Sequence, residues 1–147
     1  MITEFDGKYR FLSNFYPAPV TYEGYLYRTV EHAFQASKSL DPACREVIAN
    51  CKSPALAKEV GRKVDLRHDW KDIKVSVMLR LLRQKFSEPT LQHMLLLTAG
   101  EDLVEGNWWG DTFWGVCRGQ GENQLGKLLM QVREELKNDQ KGGTIDE

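Results

Sequence analysis

TVEHAFQASK, residues 29–38, is the stretch on which the fold turns. Thr29 suits an N-cap, because a hydroxyl there accepts from a backbone N–H that the first turn leaves over. The spacing predicts a helix from Thr29 through about Ser39. Val30, Ala33, Phe34 and Ser37 recur at helical intervals and form its buried, small-residue stripe. At 100° per residue, Glu31, Gln35 and Lys38 fall at about 100°, 140° and 80° from Val30. They share one face beside that stripe, so a carboxylate and an amine line a wall about two turns long. Periodicity alone favours a half-exposed salt bridge over a catalytic wall.

Upstream, residues 1–28 are rich in aromatics, and Pro17 and Pro19 exclude a helix around them. VTYEGYLY, residues 20–27, predicts a hairpin turning at Glu23 and Gly24. In FLSNFYP, residues 11–17, Ser13 and Asn14 are polar groups inside an aromatic, prolyl segment. They either satisfy their own backbone in a turn or meet a ligand. Arg10 either holds a phosphate or lies along the surface.

Downstream, Asp41-Pro42 ends the first helix, and a second is expected over about Ala43 to Cys51. Ser53-Pro54 caps a third that runs to about Val60 and stops at Gly61. Asp69 is expected to cap the longest inner helix, about Trp70 to Phe86, whose VSVMLRLL run is apolar on nearly all sides. Another helix runs from Ser87 to near Gly100. Leu125, Leu128, Leu129, Val132 and Leu136 mark a last, amphipathic helix. Residues 139–147 read as a polar, disordered tail to a single domain over 1–138.

EGNWWGDTFWG, residues 105–115, carries three of the four tryptophans. The alternation over residues 103–117 predicts a second hairpin with Gly110 and Asp111 in its loop. Pleating then puts Asn107, Trp109, Thr112 and Trp114 on one face, and Trp108 and Phe113 on the other, toward the core. A face of two aromatics, an amide and a hydroxyl suits a planar heterocycle and a sugar. Packing of every tryptophan in the core stays open as an alternative.

Other classes of function find little support. The chain has 147 residues and a net charge of −1, so it has no bulk attraction for nucleic acid or an anionic membrane. No apolar h-region opens the sequence, and no run is long enough to span a membrane. Three scattered cysteines, Cys44, Cys51 and Cys117, suit free thiols in a reducing cytoplasm. GENQLGKL, residues 121–128, approaches a P-loop, but Leu128 stands where Ser or Thr must hold Mg²⁺. It reads better as a helix start in which Gly126 permits close packing. His32, His68 and His93 are far apart and show no metal-ligand spacing.

Taken in order, FLSNFYP, TVEHAFQASK and NWWGDTFWG followed by an amphipathic helix resemble the YbiA-like, or NADAR, family of N-glycosidases. The likeness covers about residues 3–137. It implies a compact, mainly helical α+β single domain, here with two short β-hairpins, that works without metal or other cofactor. It implies hydrolysis of the bond between a ribose C1 and a nitrogenous group. Phosphoribosylamino-pyrimidine intermediates of riboflavin synthesis and ADP-ribose attached to guanine, including guanine in nucleic acid, are the implied substrates. The resemblance points to Lys38 as a nucleophile forming a Schiff base with the opened sugar, and to Glu31 as an acid/base. Alongside them, Asp111 is expected to orient sugar hydroxyls or act as a second acid/base. Trp109 or Trp114 would stack on the heterocycle, and Asn14, Ser13, Arg10, Gln35 and Asn107 would bind substrate. A non-catalytic ADP-ribose reader and a scaffold with all aromatics in its core are the rival readings.

Overall fold

The structure is a computed structural model that describes residues 1–145, with side chains described to residue 140. The chain falls into two compact units, Asn14–Lys85 and Met1–Ser13 with Phe86–Glu147.

In the unit Asn14–Lys85, strands β1 (Val20–Tyr22) and β2 (Tyr25–Tyr27) pair antiparallel, with Tyr22 opposite Tyr25. Glu23 and Gly24 both have positive φ, 48° and 82°, as a two-residue turn matched to strand twist requires. Helix α1 (Val30–Ser37) follows, and the Thr29 side chain accepts from the His32 N–H as expected. All eight residues of α1 are buried, not just one stripe. The cause is its surroundings: α1 packs on β1, β2, α2 (Pro42–Ala49), α3 (Pro54–Gly61) and α4 (Trp70–Lys85). Asp41 does more than end α1. Its carboxylate caps α2 by accepting from the Ala43 N–H, and Pro42 begins the helix. Ser53 caps α3 through the Leu56 N–H. Phe34 and Trp70 join α1 to α4 with ring centroids 5.1 Å apart.

In α4 the buried side chains are Trp70, Val77, Met78, Leu81, Leu82 and Lys85. Val75 and Leu79 are half-buried and Arg80 is exposed, so this helix shows one face to the core rather than being apolar all round.

In the other unit, Gly7–Leu12 forms a short 3₁₀-helix and α5 covers Pro89–Leu96. Helix α5 starts later than Ser87 because the Glu88 carboxylate caps it, accepting from the N–H groups of Thr90 and Leu91. Ile2 forms a parallel bridge with Leu103. Strands β3 (Gly106–Asn107) and β4 (Val116–Cys117) also pair parallel, with Gly106 opposite Val116.

The second hairpin is therefore absent: parallel strands cannot be joined by a two-residue turn. Helix α6 (Gln124–Ile145) extends through most of the span expected as an irregular tail. Once a helix is nucleated, each further residue adds a hydrogen bond for little ordering cost. Residues 146 and 147 lie outside the described residues. Gln124 already belongs to α6, so GENQLGKL does not form a phosphate cradle. A Cβ on the buried Gly126 would lie 2.1 Å from the Leu103 carbonyl oxygen, the close packing its sequence context suggested. No helix among the described residues is long and apolar enough to cross a membrane.

Candidate active site around Lys38

The row Glu31, Gln35, Lys38 forms as the helical spacing requires, but deeper than a half-exposed salt bridge. Glu31 and Gln35 are 7% and 5% exposed, which rules out a solvated pair. The Gln35 Nε2 donates to Glu31 Oε1 at 2.8 Å. Gln35, expected to bind substrate, thus holds the carboxylate instead. Its own Oε1 is buried without a hydrogen-bond partner. Gly61 makes room for that amide, since a Cβ there would lie 1.9 Å from Gln35 Oε1. Sequence reading took Gly61 as a helix stop and missed this contact. Only its position one residue inside a buried helix end signals it.

Lys38 caps the C-terminal end of α1 and is half-buried. Its carbonyl oxygen accepts from the Arg67 N–H at 2.8 Å. Burial holds its ammonium below the ordinary lysine value of 10.5, the Glu31 carboxylate opposes this, and the charges of Arg62, Lys58 and Lys74 reinforce it. Those three cations were not singled out from the sequence. The i,i+4 spacing of Lys58 and Arg62 was the available signal.

Asn14 belongs to the same neighbourhood. Its backbone oxygen accepts from the Glu31 N–H at 3.1 Å, and its side chain is buried. The Asn14 Nδ2 lies 3.6 Å from Met78 Sδ, whereas Oδ1 is buried with no partner. A buried acceptor without a donor costs free energy unless something else satisfies it. Beside it on α1, His32 is fully occupied: Nε2 is 3.0 Å from the Cys51 carbonyl and Nδ1 is 2.8 Å from Thr29 Oγ1. A carbonyl only accepts, so the neutral ring is protonated at Nε2 and the threonine hydroxyl donates to Nδ1. His32 is a structural histidine.

The remaining candidates lie in the other unit. Asn107 and Asp111 meet, but as loop builders. Asn107 Nδ2 donates to the carbonyls of Asp111 at 2.8 Å and Val116 at 3.3 Å, and Oδ1 accepts from the Asp111 N–H at 3.0 Å. Asp111 Oδ1 accepts from the N–H groups of Phe113 and Trp114 at 3.1 and 2.9 Å. Such local side-chain bonds displaced the strand ladder that alternation predicted. The expected split of the aromatics falls with it. Trp108, expected in the core, is 83% exposed, and Trp109 is 47% exposed. Phe113 and Trp114 are half-buried and meet edge to face at 4.8 Å. Arg10 is exposed in the last turn of the 3₁₀-helix, and the N–H of the half-buried Ser13 donates to its carbonyl at 3.0 Å.

The NADAR domain model matches residues 3–137. The chain belongs to the NADAR domain family. N-glycosidase YbiA of Escherichia coli (strain K12) is 42% identical over 128 residues, which are 84% of this chain and 79% of YbiA. A riboflavin biosynthesis protein of Vibrio vulnificus (strain YJ016) is 41% identical over 135 residues, 89% of this chain. That match spans only 36% of the Vibrio protein, about a third of its length. The NMR structure of Escherichia coli YbiA superposes with a TM-score of 0.83 at 39% identity, covering 95% of this chain and 87% of that one. The α+β, mainly helical fold is thus that of a NADAR domain.

Proposed function

We propose that this chain is an N-glycosidase that hydrolyses the bond between a ribose C1 and a nitrogenous leaving group, with Lys38 as nucleophile and Glu31 as proton carrier. The carrying observation is a half-buried lysine whose ammonium is destabilised, about two helical turns from the buried, amide-held Glu31 carboxylate. A lysine attacks only as the neutral amine, and lowering its pKa by burial and neighbouring cations supplies more of that form.

The neutral Nζ forms a bond to C1, and the electron pair of the C1–N bond passes to the leaving nitrogen. That nitrogen takes a proton from the Glu31 carboxyl. As the bond between C1 and the ring oxygen breaks, one proton passes from Nζ to that oxygen, which opens the sugar and leaves a protonated imine between Lys38 and C1. Water adds to the imine carbon, Glu31 accepts its proton, and Lys38 departs as the amine. The net reaction consumes one water. Asn14 Oδ1 would accept from a sugar hydroxyl, which would satisfy its buried oxygen. Asp111 is left as a loop-building residue.

For the substrate we favour a phosphoribosylamino-pyrimidine, the class that the family resemblance implies, with ADP-ribosylated guanosine as the comparison. Borohydride is added during turnover of each, and the protein is mapped by mass spectrometry. A reduced adduct on Lys38 with one of them fixes both mechanism and substrate. Turnover without any adduct removes the Schiff base and leaves direct attack by water.

A further inference from the structure

We propose that Arg45 is a positioning residue for Lys38, and that Glu23 of the first hairpin aims it. The part this plays in turnover rests on the reading that Lys38 attacks C1; the clasp itself rests on hydrogen bonds.

Helix α1 ends at Ser37, and Lys38 is its C-cap. The N–H groups of Lys38 and Ser39 still donate back into the last turn, to the carbonyls of Gln35 at 3.3 Å and Ala36 at 3.2 Å. The carbonyls of the same two residues have no further helical turn to donate to them. Both are met from elsewhere in the fold. The Arg67 N–H donates to the Lys38 carbonyl at 2.8 Å, and Arg45 Nε of α2 donates to the Ser39 carbonyl at 2.7 Å. Ser39 is buried, so its carbonyl depends on that guanidinium rather than on bulk water. The backbone that carries the nucleophile is thus fixed from outside its own helix. Of the two bonds, the one from Arg45 is made by a side chain, so a substitution can release it.

Arg45 is itself held in direction. Its Nη1 donates to Glu23 Oε1 at 2.8 Å, and its Cζ lies 5.2 Å from the centre of the Tyr22 ring. A planar fork fixed at one edge and stacked on a ring leaves Nε little freedom. Glu23 stands at φ 48°, the first of two turn positions where asparagine or glycine is the favoured residue. A glutamate there is strained, and what its longer side chain adds is the reach to Arg45. The Glu23 side chain is 51% exposed and that of Arg45 15%, and an ion pair open to water at one end contributes little stability. Its effect is geometric. Glu23 sets the guanidinium, the guanidinium sets the Ser39 carbonyl, and that peptide sets where the Lys38 side chain leaves the backbone. Attack on C1 is sensitive to such placement, since about 1 Å of displacement can cost about a hundredfold in rate.

The test follows turnover and amide hydrogen exchange in Arg45→Ala, Arg45→Lys and Glu23→Asn. Arg45→Ala should lower kcat about tenfold or more, leave KM within about twofold, and speed exchange at the amides of Lys38 and Ser39. Arg45→Lys keeps the charge but replaces the fork by a point charge, so it should recover little of kcat. Glu23→Asn is uncharged and a methylene shorter, yet suits the turn better. It should keep the thermal midpoint while lowering kcat, and it carries the test if Arg45→Ala does not fold. Combined with Arg45→Ala, it should lower kcat no further, because Glu23 acts through Arg45. Unchanged kcat in Arg45→Ala and Glu23→Asn, full recovery in Arg45→Lys, or additive losses in the double variant would overturn the clasp. Borohydride trapping separates the two readings. If Lys38 of the unaltered protein is labelled and Arg45→Ala is labelled as fast, the nucleophile stands and the clasp falls. If Lys38 is never labelled, while Arg45→Ala still loses kcat and protection at residues 38 and 39, the clasp stands and the nucleophile reading falls.

Discussion

Lys38 couples two demands that conflict in water: it must lose its proton, and it must sit beside a carboxylate that favours keeping it. Burial and three neighbouring cations outweigh Glu31, so its pKa lies below 10.5. As pH rises through that lowered value the neutral fraction grows, so the rate should rise along a limb centred below 10.5. Removing one cation by Arg62→Ala should move this limb to higher pH, which a pH–rate profile measures directly. Lys38→Arg should be as inactive as Lys38→Ala, because a guanidinium does not deprotonate in this range. Periodicity made the row Glu31, Gln35, Lys38 legible. It could not reveal the row's depth, which depends on five elements arriving from elsewhere in the chain.

At the level of elements, α1 is fixed at two points that sequence reading passed over. One is Gly61 against Gln35. A methyl at residue 61 must displace the amide that holds Glu31, so Gly61→Ala should destabilise the protein by about 1–3 kcal/mol and lower kcat. Gln35→Ala removes the clash as well as the bond to Glu31. The double variant should therefore recover stability relative to Gly61→Ala without recovering kcat, and a double-mutant cycle in urea checks this. The other point is His32, whose imidazole joins Thr29 to the Cys51 carbonyl. Burial is the main reason its pKa lies below 6.5. As pH falls through 6.5, the unfolded chain takes up a proton before the folded one, so stability is lost on acidification. His32→Ala should cost about 2–4 kcal/mol at pH 7 and flatten that acid slope. The first hairpin was legible because Glu23 and Gly24 carry their own turn chemistry. The alternation of EGNWWGDTFWG misled because Asn107 and Asp111 bond the local backbone more strongly than two short strands can pair.

Across the whole chain, the least legible feature is that its first thirteen residues belong with the segment that starts at Phe86. Nothing local in MITEFDGKYR signals this, because the partners lie about a hundred residues away. Ile2 donates its N–H to the Asp102 carbonyl and accepts from the Val104 N–H, both at 2.8 Å, while the Thr3 carbonyl accepts from the Gly106 N–H at 3.1 Å. Ile2 and Phe5 are 5% and 8% exposed. Deleting residues 1–5 removes three backbone bonds worth about 1 kcal/mol each. It also removes two buried side chains worth about 1.5–3 kcal/mol apiece. The sum, roughly 6–9 kcal/mol, is comparable to the whole stability of a domain this size. The truncated chain should therefore lose the cooperative thermal transition of its C-terminal unit. Hydrogen exchange at Val104 and Gly106 gives the local readout: both amides should exchange at the rate of an open chain. Protection at both amides in the truncated protein would mean that β3 and its surroundings hold together without residues 1–5.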